Sequence, residues 1–174
     1  VTAAINAGVG LVQHRDHGSE TSWGDPPYGI SQINSLVNGS RTPVVFSINC
    51  QSGSFHRYGG DCFCEAFLKK RPGGCVGIVG ATRTSFSGFN DLLAPGTYTS
   101  FFPSYDPGHM GNPYAGSWRP AEAFNYAKYY MLTYEGAENN GTEAQFHMFH
   151  WFGDPEMPLR TATPQSLVVS HPAW

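Results

Sequence analysis

The sequence predicts an α/β fold in which a mostly parallel sheet is covered by helices on both faces. Two observations carry this prediction. Residues 44–49 and 75–82 are apolar for most of their length, which is typical of strands buried on both faces. Segments with helical spacing alternate with these strands along the chain, and this alternation favours parallel pairing. With 174 residues, the chain is long enough for one domain with a substantial core.

The first elements are a strand, a helix and a second strand. Residues 8–13 form a short apolar run that predicts a buried strand. Residues 30–38 carry apolar side chains at helical spacing, and Gly39 is a suitable end for this helix. The strand at residues 44–49 follows. The apolar positions of the helix are Ile30, Ile33, Leu36 and Val37.

A second helix is predicted to begin at Asp61, a residue type that caps helix N-termini well. The basic residues 69–71 complement the helix dipole at its other end, and Pro-Gly-Gly at residues 72–74 stops it. The strand at residues 75–82 comes next. The apolar face of this helix consists of Phe63, Ala66 and Phe67.

The second half of the chain changes in composition. Residues 84–118 are rich in Ser, Gly, Pro, Asn and aromatic residues, which predicts long loops with a short helix near residues 88–95. Residues 120–134 and 142–152 each predict a further helix, the second one stopped by Gly-Asp-Pro. The apolar face of the helix at 120–134 consists of Phe124, Ala127, Tyr130, Met131 and Tyr134.

Composition and charge exclude some classes of protein. Charged residues make up 13% of the chain and the net charge is −3. The sequence therefore lacks the excess of basic residues that is typical of nucleic-acid-binding proteins. No apolar run approaches the ~20 residues that a membrane-spanning helix needs, and no signal peptide opens the chain. The first residues read like the end of a helix without an initiating Met, and we therefore expect a processed product or a fragment.

The cysteines do not predict a metal site. They are Cys50, Cys62, Cys64 and Cys75, and their spacing fits no zinc pattern because the C-x-C pair has no second pair. If Cys50 stays free, the other three allow at most one disulfide.

Reactive side chains follow two of the predicted strands. His17 lies just after the first strand, and Cys50 ends the next one. Because the carboxyl ends of parallel strands meet at one edge of a sheet, a nucleophile and its acid/base partner would converge there. Gly18 would let a backbone N–H point into the site, and together with the N–H of Cys50 it would form an oxyanion hole.

Both residues also have structural interpretations. A cysteine at a strand end is often a small core residue, and a histidine before glycine is often an ordinary turn residue. His14 is a rival to His17, but it lies inside the predicted strand and no glycine follows it. Residue pattern alone leaves the catalytic and structural alternatives open.

Five blocks in order give the sequence a family resemblance. They are HRDHGSETSWGDP, FSINCQSGSF, CFCEAFL, IVGATRTSFSGFND and FGDPEMPLRT. Together they resemble the gingipain-type cysteine peptidases of the caspase-like clan, over roughly residues 9–162. The separation of His17 and Cys50 is similar to that of the family. The resemblance implies the C-terminal part of a catalytic domain with the caspase-like three-layer sandwich fold.

The resemblance also implies roles for individual residues. Cys50 would be the nucleophile, His17 the general acid, and the N–H groups of Gly18 and Cys50 the oxyanion hole. Phe86 would wall the pocket for the residue before the cleaved bond, where Arg or Lys is the default expectation. Further substrate-binding candidates are Gln51 and Thr84. Glu65 matches a family position as well, although a helix cap or a solvated face is the simpler interpretation.

Partners, ions and location follow from the same resemblance. We expect a protein or peptide substrate, the N-terminal remainder of the same precursor as a partner, and a secreted or cell-surface location. No cofactor or catalytic metal is expected. Some relatives bind structural Ca²⁺, for which Asp91 and Asp106 are candidates, and His147 and His150 would share a helix face. Residues 1–162 would belong to the peptidase domain, and residues 163–174 to a linker or the first strand of a following immunoglobulin-like domain.

Two alternatives to an active peptidase remain. A relative that has lost activity would keep the fold and serve at the surface. A carbohydrate- or protein-binding module would use the abundant loop aromatics, and it would require an inert Cys50.

Overall fold

The computed structural model describes residues 1–57, 59–106 and 117–162. Four strands form one sheet in the order β1-β4-β5-β6, and β2 and β3 form a separate antiparallel pair. In chain order the elements are α1 (Thr2–Ala7), β1 (Leu11–Arg15), β2 (Ser22–Trp23), β3 (Tyr28–Gly29), α2 (Ile30–Asn34), β4 (Val44–Ile48), α3 (Phe63–Lys69), β5 (Gly77–Ala81), α4 (Ser87–Phe101), α5 (Pro120–Glu135), α6 (Asn140–Met148) and β6 (Phe149–Gly153).

The main sheet is mostly parallel, as predicted. β1 lies parallel to β4, with Arg15 opposite Ile48 at the carboxyl ends. β4 lies parallel to β5, starting with Val44 opposite Gly77, whereas β6 is antiparallel to β5. The carboxyl ends of β1, β4 and β5 therefore share one edge of the sheet.

Helices cover both faces of this sheet. Phe46 and Ile48 point into a core cluster that also contains residues of α4, α5 and α6. Val45 and Ile78 point into a second cluster with residues of α1, α2 and α3. Neighbouring side chains of a strand face opposite ways, so the continuous apolar runs fill two cores. This arrangement confirms the three-layer sandwich.

The short helix predicted near residues 88–95 is present but longer than expected, so the prediction of a loop is wrong for residues 96–101. Residues 87–101 form α4, a helix with Pro95 in its interior. Small residues let α4 approach α5 closely: a Cβ on Gly96 would lie 2.8 Å from the Cα of Ala127. The Gly and Ser content that suggests a loop is therefore a packing feature here.

The helix predicted at residues 142–152 ends earlier, at Met148. The aromatic-rich residues that follow form β6 and pair with β5, so that Phe149 lies opposite Ala81. His150 consequently belongs to a strand, and the predicted shared helix face of His147 and His150 is wrong. Pairing along a sheet edge overrides the helical spacing of these residues.

Two helix boundaries also differ from the prediction. Cys62, not Asp61, is the N-cap of α3, and its N–H donates to Glu65 Oε2 at 3.0 Å. Asp61 instead pairs with Lys69 at 2.5 Å. Glu65 is thus a helix cap, the simpler of its two interpretations.

The helix predicted at residues 30–38 stops at Asn34. Leu36 is fully buried as expected, but Val37 is 71% exposed. Beyond the helix, the N–H of Val37 donates to Asn6 Oδ1 at 2.9 Å, which ties this segment to α1.

The predicted domain boundary at residue 163 and the strand after it lie outside the described residues. Within the part of the chain that the structure describes, no helix combines the length and apolar character needed to cross a membrane.

Candidate active site

Cys50 and His17 follow neighbouring parallel strands at the same sheet edge. His17 comes two residues after the end of β1 and Cys50 two residues after the end of β4. His17 is exposed and Cys50 is half-buried. Both side chains are therefore available at the surface, as a nucleophile and its partner need to be.

Gly18 brings the two segments together. A Cβ built on Gly18 would lie 2.9 Å from the carbonyl oxygen of Cys50 and closer still to the side chain of Asn49. The carbonyl of His17 accepts from the N–H of Gly24 at 2.8 Å, which holds this loop against β2. Glycine is required at position 18 because the Asn49–Cys50 segment packs directly on its Cα.

The segment after Cys50 is fixed to the end of β5. Gln51 has a φ of +59°, and its N–H donates to the carbonyl of Arg83 at 3.0 Å. The N–H of Gly53 donates to the carbonyl of Ala81 at 2.9 Å. Three strand ends therefore contribute to one surface, and the backbone beside Cys50 is held by hydrogen bonds.

Ser85 is the residue in contact with the sulfur of Cys50. The Cys50 thiol donates to the carbonyl of Ser85, with 3.6 Å between sulfur and oxygen. The Ser85 hydroxyl donates to Cys50 Sγ at 3.7 Å. Sequence reasoning missed Ser85, and the one available signal was its position directly before Phe86.

His14 has a structural environment that separates it from His17. It is buried, its ring stacks on Trp23 with centroids 4.4 Å apart, and Nε2 lies 3.1 Å from the carbonyl of Asp25. Nδ1 lies 2.8 Å from Nδ2 of Asn49. Burial lowers the pKa of His14 below its ordinary value. A neutral ring with both nitrogens engaged is a packing residue, which favours His17 as the acid/base candidate.

The predicted substrate-binding residues lie around the Ser85 contact. Thr84 and Phe86 flank Ser85 in sequence, and both are exposed. Phe86 caps α4, is 46% exposed, and has its ring 5.9 Å from that of Phe89. An exposed aromatic ring next to the partner of Cys50 is suitably located to contact a bound side chain.

Glu20, Asp91 and Asp106 each have a partner of their own. Glu20 pairs with Arg57 at 2.7 Å, and Asp91 pairs with Arg15 at 2.6 Å. Asp106 accepts a hydrogen bond from the Tyr130 hydroxyl at 2.8 Å. Across residues 1–57, 59–106 and 117–162, no three His, Cys, Asp or Glu side chains group as metal ligands. Asp91 and Asp106 are therefore not joined in one ligand set within this part of the chain.

The other three cysteines are core residues with free thiols. Cys62, Cys64 and Cys75 are buried, and Cys50 alone of the four is partly accessible. Burial raises the pKa of Cys62 to about 11 and also raises the pKa values of Cys64 and Cys75. Thiols that resist ionisation are poor nucleophiles.

Comparison with known proteins places the chain among cysteine peptidases. The family model described as Peptidase family C25 matches residues 1–160. Gingipain R2 of Porphyromonas gingivalis is 26% identical over 98% of this chain, which corresponds to 22% of gingipain R2. Lys-gingipain of the same organism is 26% identical over 97% of this chain and 10% of its own length. The chain thus spans less than a quarter of these relatives.

Solved structures show the same fold. A crystal structure of the Arg-specific cysteine proteinase gingipain R matches with a TM-score of 0.78 and 24% identity, covering 94% of this chain and 36% of that one. A second structure, the complex of the pro- and mature domains of Porphyromonas gingivalis gingipain R, matches with a TM-score of 0.77 and 24% identity. The match covers 94% of this chain and 37% of that one.

Proposed function

This chain belongs to peptidase family C25, and we propose that it forms the C-terminal part of the catalytic domain of a cysteine endopeptidase. The observation that carries the proposal is the contact of Gly18 with the Asn49–Cys50 segment, which joins the His17 loop to the Cys50 loop. A half-buried thiol and an exposed histidine on these two neighbouring loops are the groups that such chemistry requires.

The proposed reaction passes through an acyl-enzyme. Cys50 gives its thiol proton to His17, and the thiolate attacks the peptide carbonyl to form a C–S bond. The N–H groups of Gly18 and Cys50 hold the resulting oxyanion. His17 then donates the proton to the leaving amine as the C–N bond breaks, and water hydrolyses the thioester.

The names of the relatives suggest the substrate class. One structural relative is described as Arg-specific, and other relatives are named Lys-gingipain. We propose Arg or Lys before the cleaved bond, with Phe86, Gln51 and Thr84 on the substrate side. The remainder of the precursor would complete the enzyme, which would act outside the cell or at its surface. Residues 163–174 would form a linker or the first strand of a following domain, and no cofactor is assigned to the reaction.

Active-site labelling tests this function directly. Acyloxymethyl ketone probes carrying Arg, Lys, Asn or Leu before the reactive group would be added to the native protein, and the adduct mapped by mass spectrometry. We expect a rapid adduct on Cys50 with the Arg or Lys probe and none in the Cys50→Ala variant. A folded protein without an adduct, whose Cys50 also reacts slowly with iodoacetamide, would be an inactive relative or a binding module.

A further inference from the structure

A chain of buried polar side chains connects helix α6 to the sulfur of Cys50. Gln145 on α6 donates through Nε2 to Asn90 Oδ1 on α4 at 3.0 Å. Asn90 donates through Nδ2 to Ser85 Oγ at 2.8 Å. The Ser85 hydroxyl in turn donates to Cys50 Sγ at 3.7 Å. Each side chain thus donates a hydrogen bond to the next one, in the direction of the Cys50 thiol.

We infer that Ser85, Asn90 and Gln145 form a positioning relay that directs the Ser85 proton at Cys50 Sγ and favours the thiolate. The inference rests on the proposed function, because it assigns these residues to the activation of the same nucleophile. Ser85 contacts the reacting sulfur, whereas Asn90 and Gln145 act through Ser85.

The direction of the relay is set by a backbone group. Gln145 Nε2 also donates to the carbonyl of Phe86 at 3.4 Å. A carbonyl oxygen only accepts hydrogen bonds, so the amide nitrogen of Gln145 must face Phe86 and Asn90 Oδ1 together. This orientation leaves Nδ2 of Asn90 to face Ser85 Oγ. Because Ser85 Oγ then accepts from Asn90, its own proton is free to point at Cys50.

Burial gives the relay its strength. Gln145 is fully buried, Asn90 is 3% exposed and Ser85 is 7% exposed. The hydrogen bonds from Gln145 to Asn90 and from Asn90 to Ser85 are buried, where water does not compete with them and where polar groups without partners are costly. Hydrogen bonds in such surroundings are also electrostatically stronger than in water. These two buried hydrogen bonds therefore orient the Ser85 hydroxyl next to Cys50.

The two contacts of Ser85 act on different states of Cys50. The thiol donates to the carbonyl of Ser85 at 3.6 Å, and this bond is lost when the proton leaves. The Ser85 hydroxyl bond persists and becomes charge-assisted, since a negatively charged sulfur accepts more strongly than a thiol. Removing the hydroxyl alone takes away a contact that favours the thiolate and keeps the contact that favours the thiol.

The alkylation rate of Cys50 as a function of pH tests the relay. Iodoacetamide reacts with the thiolate and needs no peptidase activity, so this readout is independent of the proposed reaction. The adduct on Cys50 would be quantified by mass spectrometry in the native protein and in Ser85→Ala. We expect the midpoint of the pH–rate profile to move up by about one pH unit, with a rate about tenfold lower below the midpoint.

Three further variants separate positioning from packing. Ser85→Thr keeps a hydroxyl and should restore the native profile. Gln145 is two hydrogen bonds away from Ser85 Oγ, and Gln145→Met changes no charge. It should still raise the midpoint of the profile, by less than Ser85→Ala does. Ser100→Ala is the control: it removes a buried serine hydroxyl inside α4 that has no hydrogen-bond partner among the described residues, and it should leave the profile unchanged.

The outcomes distinguish the relay from the proposed function. An unshifted midpoint in folded Ser85→Ala or Gln145→Met, even with a lowered melting temperature, would overturn the relay and leave only a structural role. If Ser85→Ala does not fold, Gln145→Met decides by the same criterion. A native protein that resists the peptidyl probes but shows the predicted alkylation shifts would retain the relay while the peptidase proposal fails.

Discussion

Nδ2 of Asn49 donates to Nδ1 of His14 across 2.8 Å, and both side chains are buried. The same Asn49 side chain also bonds to Ser47 Oγ at 2.9 Å, and Ser47 accepts from Trp23 Nε1 at 2.8 Å. Trp23 stacks on His14 and closes the ring of contacts. Because Asn49 directly precedes Cys50, this buried ring holds the backbone from which the nucleophile candidate projects.

The first prediction concerns the pH dependence of stability through His14. Burial lowers its pKa in the folded protein, whereas in the unfolded chain the ordinary value of 6.5 applies. The unfolded chain therefore binds more protons just below that pH. The free energy of unfolding should decrease as the pH falls through 6.5 and level off below the folded pKa.

Chemical denaturation between about pH 5 and pH 8 measures this effect, with His14→Gln expected to show a flatter dependence. The pKa of His150 is also lowered by burial, so the difference between the two proteins, and not the absolute slope, reports His14. The exposed His56→Gln variant serves as the control. Equal slopes for the native protein and His14→Gln would contradict the prediction.

The second prediction concerns the close approach at Gly18. In Gly18→Ala the new Cβ would meet the Asn49 side chain and the Cys50 carbonyl, so the His17 loop has to move. We expect labelling of Cys50 by the Arg or Lys probe to slow by about 100-fold. Overpacking should also lower the free energy of unfolding by about 1–3 kcal/mol.

Gly88→Ala is the matched control for this change. A Cβ on Gly88, which lies exposed in the first turn of α4, would meet nothing within 4 Å. Its probe labelling should equal that of the native protein, and helix propensity favours Ala over Gly at such a position. Native-like labelling of Gly18→Ala would show that the loop tolerates a side chain there.

The third prediction concerns the number of reactive thiols. Cys50 is half-buried, whereas burial raises the pKa values of Cys62, Cys64 and Cys75. Iodoacetamide near neutral pH should therefore modify one thiol rapidly in the native protein and all four only after unfolding. Peptide mapping identifies the site. Rapid modification of any of the other three cysteines would contradict their placement in the core.

The fourth prediction concerns Phe86 as a wall of the substrate pocket. Phe86→Ala removes an exposed ring beside the Ser85 contact, and labelling by the Arg or Lys probe should slow by about tenfold or more. Alkylation of Cys50 by iodoacetamide should be unchanged, because that reagent needs no pocket.

Phe102→Ala provides the comparison for Phe86→Ala. Phe102 is 46% exposed, as Phe86 is, but it lies at the other end of α4. We expect native labelling from this variant. If both variants slow the probe equally, the effect comes from α4 as a whole and Phe86 has no specific role.

Much of the fold could be predicted because its signals are local. The apolar runs of β4 and β5 and the spacing of apolar residues in α5 show which side chains must be buried. This pattern can be read directly from the order of the residues. The candidate site was predicted from topology, since the parallel strands β1 and β4 bring the segments of His17 and Cys50 to the same edge of the sheet. β6 could not be found this way, because residues 149–153 become a strand only by pairing with β5.

Contacts between residues that are distant in sequence could not be predicted either. Ser85 contacts Cys50 across 35 positions, and Gln145 contacts Asn90 across 55. The periodicity of apolar residues does not identify a buried amide or hydroxyl. The hydrogen-bond partner of such a group depends on how α4 packs against α6. The structural role of His14 likewise depends on Trp23 in β2 and on Asn49, which follows the end of β4.

The sequence by itself determined the family, the three parallel strands of the main sheet and the two residues proposed to react. Apolar runs, glycines and short polar motifs carry that information because each acts on its own stretch of backbone. Only the tertiary structure decided which histidine is packed and which is exposed, where α4 runs, and what touches the sulfur of Cys50. These are contacts between distant segments, and they form only when the two cores close around the sheet.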